Sequence, residues 1–457
     1  EGELLEVIGE ESHDDGSANV TLRAHRGRIS TDLTVGANVA GTVELQSNNG
    51  LANRGVCLFG SGFIITTDKA KELGLGTIQG IEEHIRHYRN GKDITDEPRD
   101  VMVIDLFGMS AEEVRQKFPA VYQHIFTHVK PERDQNKRAV RRVNWWIFGE
   151  PNKELRRMLA GLPRYIVTLA TSKHRVFTFL GEEILPDDCL VSIALQDAFH
   201  LGVLSSRIHV TFALAAGGRL GVGNDPRYNK TRCFDPFPFP LCDEAQKARI
   251  RALAEELDAH RKRVQAQHGL TLTGLYNVLE KLRASQPLNA KDKDIHDKGL
   301  VSILKQLHDD LDAAVFAAYG WPPTLTDAEI LERLVALNAQ RTAEEKQGII
   351  HWLRQEYQNP QGQATSTQST LDLPAKKAAG KSPKGKVKTA AVKVAWPKPL
   401  AERIRATEQA LHAAGRAVSA EELTLQFLRA KPGDVQEILE SLVALGRAHR
   451  SGDAFSV

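Results

Sequence analysis

The sequence predicts a mixed α/β domain, followed by an α-helical domain and a small C-terminal module. Runs of β type, broken by Gly and Asn, occupy most of residues 20–180. After Pro240 the apolar residues recur at helical spacing instead. A further change of composition, to Gln, Ser, Thr, Ala, Pro and Lys over residues 359–398, sets the last module apart. A chain of 457 residues is long enough for two to four domains.

The first large domain is expected over residues 50–240. The strands predicted in and just before it include residues 41–45, 55–66, 101–106, 176–180 and 190–195. One helix interrupts these strands. Ser110 and Glu113 form a capping-box pattern at its start, and the apolar stripe that follows consists of Val114, Phe118, Val121 and Ile125.

Residues 241–358 are predicted to form the helical domain. Apolar stripes predict helices over residues 244–268, 272–284, 298–319 and 327–340. Thr326 and Glu329 form a second capping-box pattern, which marks the start of the last of these helices.

The last module, residues 399–457, follows a Lys-rich segment. Residues 359–398 hold few acidic side chains, which predicts a flexible basic linker that pairs weakly with phosphate. The module shows a helix, a second helix capped by Ser419 with Glu422, a third helix and a terminal hairpin. That order resembles a winged helix, whose third helix usually enters the major groove of DNA.

Composition excludes several classes of protein. The net charge is only +2, so nucleic-acid binding requires local basic patches. No apolar run is long enough to span a bilayer and no signal peptide is visible, so no membrane is expected. The acidic opening, residues 1–16, is interpreted as a trimmed terminus or the tail of a larger protein. A reducing cytoplasm is expected because no CxxC pair occurs among the four cysteines, Cys57, Cys189, Cys233 and Cys242.

The strongest functional signal is the basic-aromatic segment, residues 130–146. Lys and Arg neutralise phosphates, and flat aromatic rings pack against sugars or unstacked bases. The alternative is a solvated charged loop whose tryptophans belong to the core. Adjacent tryptophans on a strand point to opposite faces, so only one of the two is expected to contact a ligand. The predicted contacts are Lys130, Arg133, Lys137, Arg138, Arg141, Arg142, Trp145 and Trp146.

Four further segments are rich in hydrogen-bond donors. Each segment alone is a weak indication of DNA binding, because surface loops are commonly polar. Together they supply the several donor-rich segments that a surface for reading a DNA duplex requires. Asn90-Gly91 is also an excellent turn signal, so Asn90 has a purely structural alternative. Arg207 and His209 are expected on one face of a strand. The candidate residues are Arg86, Arg89, Asn90 and Lys92; Lys173, His174 and Arg175; Arg207 and His209; and Arg227, Tyr228, Asn229, Lys230 and Arg232.

Catalytic motifs are weak by comparison. LFGSGF, residues 58–63, lacks the spacing of a cofactor loop, which favours a tight turn between strands. Asp187-Asp188 and the string from His308 to Asp310 indicate metal ligands only faintly, and the two aspartates of that string are better explained as a solvated helix face. Cys57 and Cys233 are expected to be structural. No HExxH, GxSxG, P-loop or Cys/His metal spacing occurs in the sequence.

The motifs taken in order resemble one family. NRG-x-CLFGSGFIIT, IRHYRNGKD, VMVIDLFGMS, NWWIFGEP, SKHRVFTFL, LGVLSSRIH and TRCFDPFPFP occur in an order that is similar to the rear part of MmeI-like DNA methyltransferases of bacterial restriction-modification and phage-defence systems. The resemblance covers roughly residues 21–360. It implies a parent enzyme that transfers a methyl group from S-adenosylmethionine to N6 of adenine, with a target-recognition domain and helical spacer that read DNA.

This chain matches the recognition half of that family. Residues 1–49 are then a remnant of the methyltransferase domain, and residues 399–457 are an extension. The catalytic Asn/Asp-Pro-Pro-Tyr/Phe motif and the glycine-rich cofactor motif are absent, and Asn224-Asp225-Pro226-Arg227 is no substitute. The resemblance therefore implies that the chain binds DNA but does not methylate it alone, since a flipped adenine needs a pocket beside the methyl donor.

Three hypotheses remain at this stage. The first is sequence-specific recognition of double-stranded DNA, with phosphate contacts from the six cations of the basic-aromatic segment and base contacts from some of Arg175, Arg207, Arg227, Asn229 and Lys230. Its partners are the methyltransferase domain and other subunits of a defence complex, and no metal is expected. The second is a non-catalytic scaffold subunit whose basic patches dock RNA or an acidic partner. The third is catalysis through an unrecognised site.

Overall fold

The computed structural model describes residues 2–12, 18–27, 36–220, 225–362, 394–397, 400–414, 418–428, 430–444, 448–451 and 454–456. The chain divides into two compact units, Glu1–Ser369 and Thr370–Val457. Most of the predicted basic linker, residues 363–393, lies outside the described residues. The domain boundaries predicted from composition remain predictions.

The first unit contains strands β1 to β12 and helices α1 to α16. The strands are β1 (Gly2–Ser12), β2 (Ala18–Gly27), β3 (Ala52–Arg54), β4 (Ile64–Thr66), β5 (Ile85–Arg89), β6 (Val101–Ile104), β7 (Arg164–Leu169), β8 (Phe177–Gly181), β9 (Ile184–Pro186), β10 (Leu190–Ile193), β11 (Arg219–Leu220) and β12 (Asp225–Pro226). The helices are α1 (Thr67–Glu72), α2 (Gly91–Thr95), α3 (Ala111–Lys117), α4 (Pro119–His128), α5 (Lys130–Asp134), α6 (Ala139–Val143), α7 (Lys153–Leu159), α8 (Ala198–Ser205), α9 (Arg207–Ala216), α10 (Lys230–Cys233), α11 (Glu244–His268), α12 (Leu272–Arg283), α13 (Ala290–Gly299), α14 (Val301–Ala318), α15 (Asp327–Lys346) and α16 (Gln355–Gln358).

Two four-stranded sheets organise the first large domain. One has the strand order β3-β10-β7-β8 and is antiparallel throughout. The other has the order β4-β6-β5-β9, and β9 lies parallel to β5. The chain passes from β8 in the first sheet to β9 in the second and returns through β10. The short loop at residues 187–189 therefore joins the two sheets.

The central strands are buried on both faces. All of β7 except Arg164 is buried, and β8 is buried up to Gly181, as expected where helices cover a sheet. Helix α11 packs closely on α8 because Gly202 has no side chain: a Cβ at that position would lie 2.5 Å from Cγ2 of Ile250. Asp258 ties α11 to the sheet by accepting a hydrogen bond of 2.6 Å from Thr178.

The helices follow the sequence prediction closely. Helix α11 spans residues 244–268 as expected, and Ser110 and Thr326 cap α3 and α15 with capping boxes. The predicted helix at 298–319 begins instead at Val301, because Leu300 has a left-handed backbone that separates α13 from α14. The overall class, mixed α/β followed by helical, is confirmed.

Several strand predictions were wrong. Residues 41–45 form no strand, because their backbone bonds to single groups of other segments: the N–H of Val43 donates to the Asn338 side chain, and the N–H of Leu45 donates to the carbonyl of Asp235. Of residues 55–66 only the last three form a strand. Arg207 and His209 lie in helix α9, where Ile208 and Phe212 are buried one turn apart. A short apolar run does not distinguish strand from helix by periodicity alone.

The second unit contains strands β13 to β17 and helices α17 to α19. These are β13 (Val394–Ala395), α17 (Leu400–Ala414), β14 (Val418–Ser419), α18 (Ala420–Thr424), β15 (Phe427–Leu428), α19 (Pro432–Ala444), β16 (His449–Ser451) and β17 (Ala454–Ser456). The three-stranded sheet has the order β14-β17-β16. Ser419 caps α18 as predicted, by accepting from the N–H of Glu422. The winged-helix assignment stays a prediction.

Among the described residues no single helix is long and apolar enough to cross a membrane, and one bent pair, α8 with α9, meets that test only jointly.

Candidate nucleic-acid interface

The two sheets meet at one edge of the first unit, where loops from distant parts of the sequence join. The N–H of Val56 donates to the carbonyl of Pro186 at 2.9 Å, and the N–H of Asp187 donates to Arg89 at 2.9 Å. The N–H of Ala170 donates to Cys189 at 2.8 Å, and the N–H of Tyr228 donates to Ala170 at 2.8 Å. We call this region the shared edge; it comprises residues 54–57, 89–92, 169–175, 187–189 and 225–229.

The segment from Arg86 to Lys92 reaches the shared edge at the end of β5. The Asn90 side chain accepts from the N–H groups of Lys92 and Asp93 in a capping box, so its amide is engaged in starting α2. Asn90 therefore has the structural role of a helix N-cap, rather than that of the turn residue expected from Asn-Gly. Arg86 donates to the carbonyl of Glu182, and Arg89 donates to Asp100 at 2.9 Å. Lys92 is the exposed cation of this segment.

Lys173 and His174 lie at the shared edge next to α12. The Lys173 ammonium donates to Oδ1 of Asn277 at 2.6 Å and lies 3.8 Å from Glu280. The Nε2 atom of His174 lies 2.9 Å from the same Asn277 oxygen. These side chains lie at the boundary between the sheet and the helices, and Lys173 is exposed.

Arg175 is a structural side chain. Its guanidinium donates to Oγ1 of Thr168 at 3.1 Å and to the carbonyl of Pro226 at 3.0 Å, and it also donates to the carbonyl of Leu169. Burial lowers the pKa of Arg175 from its ordinary value. The prediction that Arg175 reads a base is therefore revised, because its donors face the interior.

Tyr228 and His209 form a buried pair beneath the shared edge. Their hydroxyl and Nε2 atoms lie 3.0 Å apart, and both side chains are buried. Burial, with a smaller effect from Arg175, lowers the pKa of His209 to about 3, so the imidazole is neutral. Both residues were predicted to contact DNA, and both are core residues instead.

The loop around β12 presents the remaining donors of that segment. Arg227, Asn229 and Arg232 are exposed, whereas Lys230 lies 3.3 Å from Asp235. Arg227 also pairs with Thr171 in an antiparallel bridge, which fixes its backbone at the shared edge. Residues 221–224, including the predicted Asn224 of the Asn-Asp-Pro-Arg string, lie outside the described residues.

Arg207 does not join this surface. Its guanidinium donates to Asp327 at 2.6 Å, which holds it against the start of α15. Its backbone N–H donates to Asp312, a carboxyl whose pKa burial raises to about 6. The prediction of a base contact from Arg207 is revised, because the side chain links α9 to the helical region.

The basic-aromatic segment folds into α5 and α6 rather than a strand or an open loop. Arg133 is only 1% exposed, and its guanidinium donates to the carbonyls of Leu58 at 2.9 Å and Ile147 at 3.0 Å. Arg141 is also buried and donates to Glu150 at 3.2 Å. Both were predicted to bind phosphate, and both instead hold the neighbouring loops in place.

The paired tryptophans also belong to the interior. Trp145 is buried and packs edge-to-face on Tyr122 and Phe126. Trp146 is partly buried, and its indole N–H donates to the carbonyl of Met109 at 2.9 Å. The alternative interpretation, in which the tryptophans belong to the core, is correct.

Three cations of this segment remain on the outside. Lys137, Arg138 and Arg142 are exposed, while Lys130 pairs with Asp134 at 2.6 Å. Arg138 lies 3.8 Å from Glu150. That glutamate pairs through its backbone with Cys57, which places Glu150 and its partner Arg138 next to the shared edge.

The shared edge also contains carboxylates and thiols. Asp187 accepts from the hydroxyl of Tyr88 and from the N–H of Cys189. Burial and the neighbouring Asp188 raise the pKa of Cys57 to about 11, and burial followed by Asp187 raises that of Cys189 to about 12. Both thiols are therefore protonated at neutral pH and are poor nucleophiles. Within the described residues no group of three or more His, Cys, Asp and Glu side chains could hold a metal ion.

Comparison with known proteins identifies the domain that carries this edge. Residues 54–241 match the family described as the MmeI target recognition domain. Over these residues the chain is similar to that domain family. The resemblance predicted from the sequence motifs is confirmed, and the match ends one residue beyond the predicted boundary at 240.

Two known proteins are also similar to this chain. DNA methyltransferase A of Bacillus subtilis (strain 168) is 28% identical over 181 residues, which cover 39% of this chain and 18% of that protein. The structure of the type IIL restriction-modification enzyme MmeI in complex with DNA superposes with a TM-score of 0.54 at 17% identity, and covers 74% of this chain and 42% of that one. This likeness shows a shared fold. The chain spans less than half the length of either relative.

Phe59 is the residue of this region that the sequence interpretation missed. It lies in the LFGSGF segment, which forms a turn followed by a 3-10 helix at Ser61–Phe63 and then β4. The turn prediction is correct, but it assigned no role to the aromatic side chain. The signal in the sequence was the position of this aromatic residue between Leu58 and Gly60, within a segment expected to be a turn.

Proposed function

We propose that the recognition domain reads the sequence of double-stranded DNA for an adenine-specific, S-adenosylmethionine-dependent methyltransferase of a restriction-modification or phage-defence system. The observation that carries this proposal is the convergence of donors on the shared edge. Lys92, Lys173 and Arg227 come from segments separated by more than 50 residues, yet backbone hydrogen bonds bring their loops together. Electropositive loops on a rigid scaffold suit recognition of a duplex.

The exposed side chains divide into two chemical groups. Lys92, Lys137, Arg138 and Arg142 are cations at the rim of the surface, where they would neutralise phosphates and fix the register of the duplex. Arg227 and Asn229 lie together on the β12 loop and have the bidentate donors that read guanine and adenine in the major groove. Asp188, which lies beside Cys57 in the loop between β9 and β10, would supply the acceptor that a cytosine amino group requires.

The methyl-transfer step belongs, in this proposal, to a catalytic domain that binds S-adenosylmethionine and partners the recognition domain. The recognition domain would hold the duplex so that the target adenine reaches that catalytic pocket. The chain by itself is proposed to bind DNA without methylating it. We place this activity in the cytoplasm, where the parent enzyme and any further subunits of a defence complex meet DNA.

Selection from a pool of random duplexes tests the proposal. The full 457-residue chain should enrich one short sequence, and it should bind that duplex more tightly than a scrambled duplex at the same salt concentration. Equal affinity for the selected duplex, a scrambled duplex and a structured RNA would contradict sequence recognition and support the scaffold hypothesis. Incubation of the same chain with radiolabelled methyl donor should transfer no label to the selected duplex.

A further inference from the structure

Phe59 has an unusual backbone conformation. Its φ is 49°, in the left-handed region that residues other than Gly, Asn and Asp rarely adopt. Such outliers persist where the surrounding structure imposes them, and they cluster at functional sites. Phe59 follows directly after the buried Leu58, two residues beyond Cys57 of the shared edge.

The surrounding loops hold the Phe59 ring in one place. The guanidinium carbon of Arg141 lies 3.4 Å from the centroid of the ring, and Arg141 is itself fixed by Glu150 at 3.2 Å. Gly149 supplies the necessary room, because a Cβ at that position would lie 2.5 Å from the ring. The carbonyl of Leu58 accepts from both the N–H of Gly149 and the guanidinium of Arg133.

Despite this support, the Phe59 ring contributes little to the core. The residue is 40% exposed, whereas the other phenylalanine of the same turn, Phe63, is fully buried. A ring that is fixed in position and left partly in solvent is preorganised for a contact, because binding then costs little conformational freedom.

Charge indicates what the contact is with. Arg138, which is 70% exposed, shares Glu150 with the Arg141 that lies over the ring, and Lys137 and Arg142 are exposed neighbours of these two arginines in the sequence. Two carboxylates lie in the same region: Glu150, which has both arginines within 4.0 Å, and Glu132, whose Oε2 atom would lie 3.5 Å from a Cβ at Gly60. An apolar ring bordered by cations suits nucleic acid, where phosphates surround an apolar stack of bases.

We propose that Phe59 is a wedge that enters a base step of the bound duplex and partly unstacks it. Aromatic and aliphatic side chains inserted in this way kink DNA. Arg141 would keep the ring oriented, and the rim cations would hold the backbone on either side. This inference rests on the proposed recognition of duplex DNA and adds the means by which the duplex is deformed.

The experiment compares the wild-type chain with Phe59→Ala on the duplex obtained by selection. Bending is followed by energy transfer between dyes at the two duplex ends, and 2-aminopurine placed at successive positions locates the unstacked step. We expect a bent duplex with the wild-type chain, and a loss of bending with the variant. Affinity should fall roughly 5- to 150-fold, the range measured for loss of one aromatic stack.

Two further variants keep the test decisive. Ile78→Ala is the control, because it removes an apolar side chain of similar exposure, 37%. Ile78 precedes Ile85, the end of β5 that lies away from the shared edge. This variant should bind and bend DNA as the wild type does. Phe59→Asn suits the left-handed backbone at this position and is too short and polar to enter a base step, so it serves if Phe59→Ala fails to fold. It should retain the thermal unfolding midpoint and lose the 2-aminopurine signal.

The outcomes separate the wedge from the proposed function. The wedge is overturned if the wild-type chain selects a sequence but Phe59→Ala has an affinity within twofold of the wild type and bends the duplex equally. Sequence recognition would then stand, and the Phe59 ring would be assigned to a protein contact. A wild-type complex without any brightened 2-aminopurine position also overturns the wedge and leaves recognition intact. If the wild-type chain selects no sequence, the proposed function and the wedge both fail.

Discussion

Arg133 and Arg138 provide a matched test of how the basic-aromatic segment is used. They are five residues apart in one cationic run, but Arg133 is 1% exposed and Arg138 is 70% exposed at its side chain. Replacing Arg133 by Ala leaves the carbonyls of Leu58 and Ile147 without their buried donor. Each such loss costs about 1–3 kcal/mol. Part of this destabilisation is offset, because the substitution also removes a buried cation whose Nε and Nη1 atoms have no hydrogen-bond partner.

The net expectation for Arg133→Ala is a free energy of unfolding lowered by about 2–4 kcal/mol. Arg138→Ala should change stability by less than about 0.5 kcal/mol, because exposed side chains with one weak ion pair contribute little. The effects on DNA affinity should be the reverse, at temperatures where both variants are folded. Arg138→Ala should weaken DNA binding at low salt, whereas Arg133→Ala should bind DNA with the salt dependence of the wild type.

Urea unfolding followed by tryptophan fluorescence measures the first quantity, since Trp145 and Trp146 lie in the segment itself. Binding titrations at several salt concentrations measure the second. A stable Arg133→Ala variant that has lost salt-dependent binding would refute this reasoning, because it would mean that the buried guanidinium reaches phosphate. Arg133→Met, which keeps apolar volume at the site, should unfold at a urea concentration between those of the wild type and Arg133→Ala.

Three other outcomes follow from the same structure. Arg227→Ala should relax selection at one base position, at a cost of about 1–3 kcal/mol for the preferred duplex, as repeated selection would show. Simultaneous replacement of Lys137, Arg138 and Arg142 by Ala should reduce the slope of log affinity against log salt by about 2–3, without changing the selected sequence. His209→Gln should lose less stability than the wild type between pH 7 and pH 4.5. Burial lowers the pKa of His209 to about 3, so the stability due to its neutral form is present above pH 6.5 and lost as the pH falls towards 3; at pH 4.5 the wild type should have lost about 2–3 kcal/mol from this group.

Local signals in the sequence predicted the helices well. The capping boxes at Ser110 and Thr326 and the stripe of α11 depend on residues within a few positions of one another, so the chain itself contains the information. The strand predictions failed more often because a strand is defined by its partner. Residues 41–45 have β-type composition, but their backbone pairs with Asn338 of α15 and with the carbonyl of Asp235.

The candidate site shows the same division. Composition identified the cationic segments, and members such as Lys92 and Arg227 are exposed, but their contact with DNA stays a prediction. It did not distinguish these from Arg133, Arg141 and Arg175, because burial of an arginine depends on which distant carbonyls are brought to it. Leu58, which accepts from Arg133, is 75 residues away in sequence. The role of Asn90 could have been predicted from the sequence, because Asp93 completes a capping box three residues later.

Photo-crosslinking tests the convergence of these segments most directly. A photoreactive amino acid is placed in turn at Lys92, Arg138 and Arg227, and at Ile78 as the control, and each chain is irradiated with the selected duplex. We expect crosslinks from the first three positions to bases or sugars within about one helical turn, roughly 34 Å, and none from the control. Crosslinking from only one of the three, or equal crosslinking from the control, would contradict a single duplex-binding surface at the shared edge.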